Sequence, residues 1–254
     1  MALSTYAGNL LLDAILNAGS AQIATAYASL HSGDPGLDGS NELASVYAYA
    51  RVLTEFDASS GGASDNTNIE TYTAASGDWA QATYCGLFDA ATAGNFIAGG
   101  AVTTPQTVLD TEVARWAAGE LDFAISTAFS TAYLDLMVDA LLRNTALSVT
   151  DVYASLHSGD PGGTGASELS GSNYARVAAS FGAAGSKACA NDTQIETGDA
   201  SGAWSQATHM GLWAHASETG AGYFIWGKAL TTPRTVGTNK RFIWEIGDIS
   251  VTLT

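Results

Sequence analysis

Apolar and polar positions alternate along this chain in two distinct rhythms, and each rhythm occurs twice. Near the start, Leu11, Leu12, Ile15 and Leu16 recur at helical spacing, and Gly19 can stop the run. Leu134, Met137, Val138, Leu141 and Leu142 repeat the pattern. Each run predicts a short amphipathic helix. Elsewhere the period is two. Tyr27, Ser29 and His31 alternate with Ala28 and Leu30 before a Gly33-Asp34-Pro35-Gly36 turn. Further strands are predicted over 51–56, 82–88, 96–98 and 121–125, and over 249–253 near the end. Short strands divided by Gly, Ser, Ala and Asn point to β-sandwiches.

The two rhythms repeat because the chain is one unit written twice. Tyr27 to Gly36 recurs unchanged as Tyr153 to Gly162, a shift of 126 residues. Glu42-Leu43 matches Glu168-Leu169, and Tyr49-Ala50-Arg51-Val52 matches Tyr174-Ala175-Arg176-Val177. Ile69-Glu70-Thr71 matches Ile195-Glu196-Thr197. Gln81-Ala82-Thr83 and Gly86-Leu87 match Gln206-Ala207-Thr208 and Gly211-Leu212, and Thr103-Thr104-Pro105 matches Thr231-Thr232-Pro233. The period far exceeds that of solenoid units, so each copy is domain-sized. The expected architecture is mainly β: two tandem β-sandwich domains, 1–127 and 128–254, each preceded by a short N-terminal α-helix. The prolines pair as Pro35 with Pro161 and Pro105 with Pro233, which predicts two loops of the same shape in both copies.

Charge changes this picture of equal halves. Lys and Arg total 9 against 25 Asp and Glu, a net charge of −16. Such a chain does not suit a nucleic-acid backbone or an anionic membrane. The first copy carries 14 acidic and 2 basic residues, the second 11 and 7, so the net charges are −12 and −4. Lys228, Arg234, Lys240 and Arg241 lie late in the second copy. They nominate that copy as the half that docks on a partner, with the first displayed outward. Trp79 pairs with Trp204 and Trp116 with Trp244, which reads as core. Trp213 replaces Phe88 and Trp226 replaces Ala98. These two unmatched tryptophans join the four cations as the candidate partner interface.

Candidate chemistry is sparse. His31 with Asp34, or His157 with Asp160, could form an acid–base or metal pair. The alternative is a strand-end His beside a turn whose carboxylate caps the backbone. Asp34, Asp38 and Glu42 lack the spacing of a calcium loop, and Asp38 has no counterpart. No zinc pattern, nucleophile elbow or phosphate-cradling loop occurs. Paired carboxylates stay open, but the expectation is no enzyme, no cofactor and no metal. Cys85 and Cys189 hold unmatched places, which predicts two reduced thiols and suits folding in a reducing cytoplasm. No basic leader or membrane-length apolar run is seen.

The ordered motifs Leu-His-Ser-Gly-Asp-Pro-Gly, Tyr-Ala-Arg-Val, Trp with Gln-Ala-Thr-x-x-Gly-Leu, and Thr-Thr-Pro-x-Thr-Val carry a resemblance. Over roughly 8–125 and 133–254 the chain resembles a family of tailed-bacteriophage virion proteins of head-decoration, head-fibre or minor-tail type. The resemblance implies a structural role without cofactor or catalytic residues. It is not specific to a place on the virion; the first expectation is a capsid decoration or cement protein on the outer surface of the head. The partner would then be the major capsid protein or other virion proteins, and self-association is also open. A minor tail or fibre protein, or a carbohydrate-binding host-attachment module, is the alternative. Exposed aromatics in both copies would favour the last.

Overall fold

A computed structural model describes residues 1–220 and 222–253. The two predicted helices are α1, Thr5–Leu16, and α2, Thr131–Leu142. Ser4 and Ser130 cap them by accepting the N–H of Ala7 (3.0 Å) and Tyr133 (3.4 Å). The stop of α1 is one residue earlier than expected. Ala18 takes the left-handed conformation (φ 50°), and the Gly19 N–H closes back on the Asp13 carbonyl. Each helix buries seven residues. Burial of a Leu or Ile among them contributes about 1.5–3 kcal/mol.

The first copy builds an antiparallel sheet in the order Ala2–Leu3, Phe96–Gln106, Ala82–Phe88, Ala26–His31, Val52–Thr54. The second copy repeats it as Phe224–Arg234, Ala207–Trp213, Val152–His157, Val177–Ala179. Two-stranded ribbons face the core beside each sheet. They pair Ala63–Ser64 with Phe123–Ala124 and Glu70–Thr71 with Arg115–Trp116. In the second copy Ala188–Ala190 pairs Ser250–Thr252, and Ile195–Glu196 pairs Ile243–Trp244. The fold is thus mainly β, in tandem, with one helix at the start of each copy.

Two details depart from the sequence reading. Pro105 and Pro233 sit within long strands instead of loops. Both lie where the strand edge is unpaired and the register is shifted, so the missing N–H costs no ladder bond. The Ile69-Glu70-Thr71 match is out of register by one residue. Glu70 pairs with Trp116, whereas Ile195 pairs with Trp244. A slip of one residue exchanges faces, so Ile69 is exposed and Glu70 buried, while Ile195 is buried and Glu196 exposed. The true counterpart of Tyr72 is then Thr197. Its large ring is exchanged for that of Phe242, which stands across the ribbon where the first copy has Ala114. Core volume is conserved by moving the aromatic from one strand to the next.

The helices do not pack on their own sheets alone. Helix α1 also lies against the Ala188–Ala190 ribbon, and α2 against Ala63–Ser64. Asn9 and Asp13 accept the backbone N–H groups of Lys187 and Ala184, each at 2.7 Å. Their counterparts Asp135 and Asp139 accept those of Gly62 (2.6 Å) and Ser59 (3.1 Å). Buried residues of both copies consequently join one apolar cluster.

Candidate interaction surfaces

The His-Ser-Gly-Asp-Pro-Gly motif is assembled into an internal lock. His31 ends the strand Ala26–His31 and is fully buried. Its Nδ1 lies 2.8 Å from the Ser40 carbonyl and its Nε2 2.9 Å from Ser29 Oγ. A carbonyl only accepts, so Nδ1 carries the proton and Nε2 accepts from the hydroxyl. Burial pulls the imidazole pKa down, which keeps this neutral form. The loop after His31 is thereby folded back over the outer face of the sheet. Pro35 reaches Gly99, and Gly39 meets Phe88 and Phe96. A side chain at Gly86 would fall 2.6 Å from His31 Nε2, which explains the Gly of that motif; Gly211 stands likewise beneath His157.

Asp34 takes no part with the imidazole. Its carboxylate accepts the Gly36 N–H at 2.9 Å, and Asp160 does the same for Gly162. The lock is closed by Arg51. Its guanidinium lies over the Phe88 ring, 3.3 Å from the centroid. It forks onto Glu42 at 2.8 and 2.6 Å and reaches the carbonyls of Ala90 and Ala93. Arg176 repeats this with Glu168, Trp213 and the carbonyls of His215 and Glu218.

Here the surface expectation for Trp213 is corrected. It is only 1% exposed, stacked on His157, and its Nε1 donates to Ser155 Oγ at 2.9 Å. A phenyl ring cannot make that bond, so the replacement of Phe88 serves the interior. Trp226 is likewise buried, across from Leu212 and bridged to Phe129. All six tryptophans are buried, and none offers an exposed stacking face.

Lys228, Arg234, Lys240 and Arg241 are exposed. Arg241 is already paired with Glu196 and Asp199, each at 2.9 Å. Lys240 stands next to it on the 237–241 loop. Lys228 and Arg234 border a groove floored by Met210, Leu230, Phe242 and Trp244. The matching groove of the first copy has Gly100 and Gln106 in their places, Glu120 where the second has Asp248, and adds Asp122 where the second has Ser250. Among the described residues no group of three or more His, Cys, Asp or Glu converges as a metal site, and no helix is long and apolar enough to cross a membrane. The hydrogen bond to Asp122 raises the pKa of the Asp65 carboxyl on the first copy's ribbon, but Ala190 and Ser250 replace the pair in the second.

Sequence reasoning passed over one surface. Val46, Tyr47, Leu109 and Val113 are exposed, Tyr47 by 54%. Hydrogen bonds draw their loops together: Ser76 to Tyr47, Thr111 to Ala75, and Asp110 to the Asp78 carboxylate. The signal was present in the repeat. The second copy has Gly171, Ser172, Gly237 and Arg241 at these places.

The fold and its locks define a duplicated β scaffold whose recurring motifs serve packing. The chain belongs to the family described as podophage GP4 fiber I protein gp80, which it matches over residues 2–124 and again over 128–252. It is therefore a structural protein of a tailed-phage virion, present as a tandem duplication. Among curated proteins, none matches the chain.

Proposed function

We propose that this chain is a fibre subunit of a podophage virion. The observation that carries the reading is the reciprocal docking of α1 and α2, which welds two copies into one rigid body with unlike ends. The family's description supports it. His31, Asp34, Glu42 and Arg51, with their counterparts in the second copy, are engaged in internal contacts, and this reading gives them no catalytic role. The buried tryptophans count against a sugar-stacking platform. The second reading is capsid decoration. It draws on the less acidic second copy, which would seat on the major capsid protein and leave the first copy outward. Binding there would favour the assembled shell by mass action. Cryo-electron microscopy of particles carrying a tagged chain separates the two. Tag density on a fibre supports the first reading, density over the head lattice supports the second, and a tag absent from purified particles sinks both.

A further inference from the structure

The exposed loop of the first copy holds a tyrosine in a strained conformation that the second copy fills with serine. Tyr47 and Ala48 both adopt positive φ, 51° and 65°. Their counterparts Ser172 and Asn173 hold the same conformation at 49° and 63°. Asn tolerates this region, and a bulky aromatic does not. What the fold takes from this loop is a carbonyl. Tyr47 O accepts the Trp79 indole N–H at 2.8 Å, and Ser172 O accepts that of Trp204 at 3.0 Å. A serine therefore suffices for packing. The first copy nonetheless places a tyrosine there, lays its ring over Gly77, and exposes Val46 beside it and Leu109 and Val113 on the adjoining 109–113 loop. The same loops carry the carboxylates of Asp78, Asp110 and Glu112.

The second copy carries the complement. Its groove is apolar at the floor and cationic at the border, where Lys228 and Arg234 stand, the latter 5.7 Å over the Phe242 ring. Both grooves carry one carboxylate at the same place, Asp248 here and Glu120 in the first copy, but the first copy's lacks both cations, adds Asp122 and would repel the knob's acidic residues. Knob and groove thus each occur once per chain, on different copies, with opposite charge.

From this we infer that the chain associates head to tail with further copies of itself, the Tyr47 knob of one entering the Lys228–Arg234 groove of the next. Such a contact is heterologous. It does not close on a pair, and it extends as a filament or ring. An aromatic anchor with a charged rim is the usual composition of an energetic hot spot. The inference deepens the fibre reading. It is tested on the purified chain, apart from any position on the virion, so either can fail alone.

The experiment is sedimentation velocity on the full chain and on two variants. Tyr47→Ser installs the second copy's own residue. Lys228→Gly with Arg234→Gln installs the first copy's. Each substitution has a precedent in the same fold, and an unchanged melting curve confirms folding. The wild-type chain should associate progressively with concentration. Each variant alone should lose this, with affinity weakened at least about 30-fold. Mixed one to one, the variants should form dimers and nothing larger, because one keeps the groove and the other the knob. A wild-type chain that stays monomeric up to about 1 mM overturns the inference. So does a species that stops at a closed pair, a Tyr47→Ser chain that associates undiminished, or a mixture that stays monomeric.

Discussion

Ala21 and Leu147 hold the same place in the two copies, and they exchange both backbone hydrogen bonds with each other, 2.9 Å each way. A residue that pairs with its own counterpart marks a two-fold axis. Around it Ile23 donates to the Ala140 carbonyl (2.8 Å), and Val149 to that of Ala14 (2.9 Å). The duplicated chain is built like a symmetric dimer whose subunits have been joined.

The first prediction concerns that axis. The junction near residues 126–128 joins halves that already share a core. A chain carrying a protease site there, cut after folding, should still migrate as one particle and melt in one transition. Separation of the halves in native size-exclusion chromatography would contradict a shared core.

The second concerns packing beside the axis. Gly8 of α1 faces the stem of Lys187, and at the equivalent junction Leu134 of α2 faces Gly62. Large and small exchange sides. Gly8→Leu should therefore overpack and cost about 1–3 kcal/mol. Lys187→Gly added to it recreates the other junction and should recover most of the loss. A double-mutant cycle on denaturant midpoints reads the coupling, and additive effects would refute the exchange.

The third concerns the arginine lock. Arg51 is nearly buried and forked onto Glu42. Arg51→Ala leaves that carboxylate unpaired and should cost about 3–5 kcal/mol in urea unfolding. Arg51→Lys should recover only part, since an ammonium cannot fork or stack as guanidinium does. Equal stability of the Lys variant and wild type would show that the fork is dispensable.

The fourth concerns pH. His31 and His157 have pKa values lowered by burial, from an ordinary 6.5. The unfolded chain takes up protons first as pH falls. The stability from neutral burial is therefore full above about pH 6.5 and is lost as pH drops toward the folded values. Buried Glu70 acts in the opposite sense. Its pKa is raised by desolvation from 4.5, so its contribution is present at low pH and lost as pH rises through the folded value. The His31→Gln/His157→Gln double variant should flatten the fall in melting temperature between about pH 7 and 5. Glu70→Gln should gain stability at neutral pH and lose that gain in acid. A melting profile unaltered by the histidine changes would show that the rings are not held neutral.

Much of this architecture was legible beforehand. The identical Tyr27–Gly36 and Tyr153–Gly162 segments announced the duplication, period-two runs announced the strands, and a 3.6-residue period announced both helices. Those signals are local, set by backbone geometry and by which face of an element turns from water. The Asp-Pro-Gly turn was legible for the same reason, because an Asp carboxylate can reach a backbone N–H two residues on.

What covers a buried face is not local. The Leu11–Ile15 face of α1 reads the same whether it meets its own sheet or the other copy's ribbon, and only the fold shows that it meets both. Trp213 and Trp226 seemed free because they lacked counterparts, yet burial depends on neighbours remote in sequence, such as Ser155 and Phe129. Ile69 looked like the partner of Ile195 until strand pairing showed Glu70 in that place. The sequence by itself determined two like copies, their elements and their unequal charge. The tertiary structure alone decided how the copies interlock and which side chains reach solvent, because long-range packing selects among faces that a periodic pattern leaves equivalent.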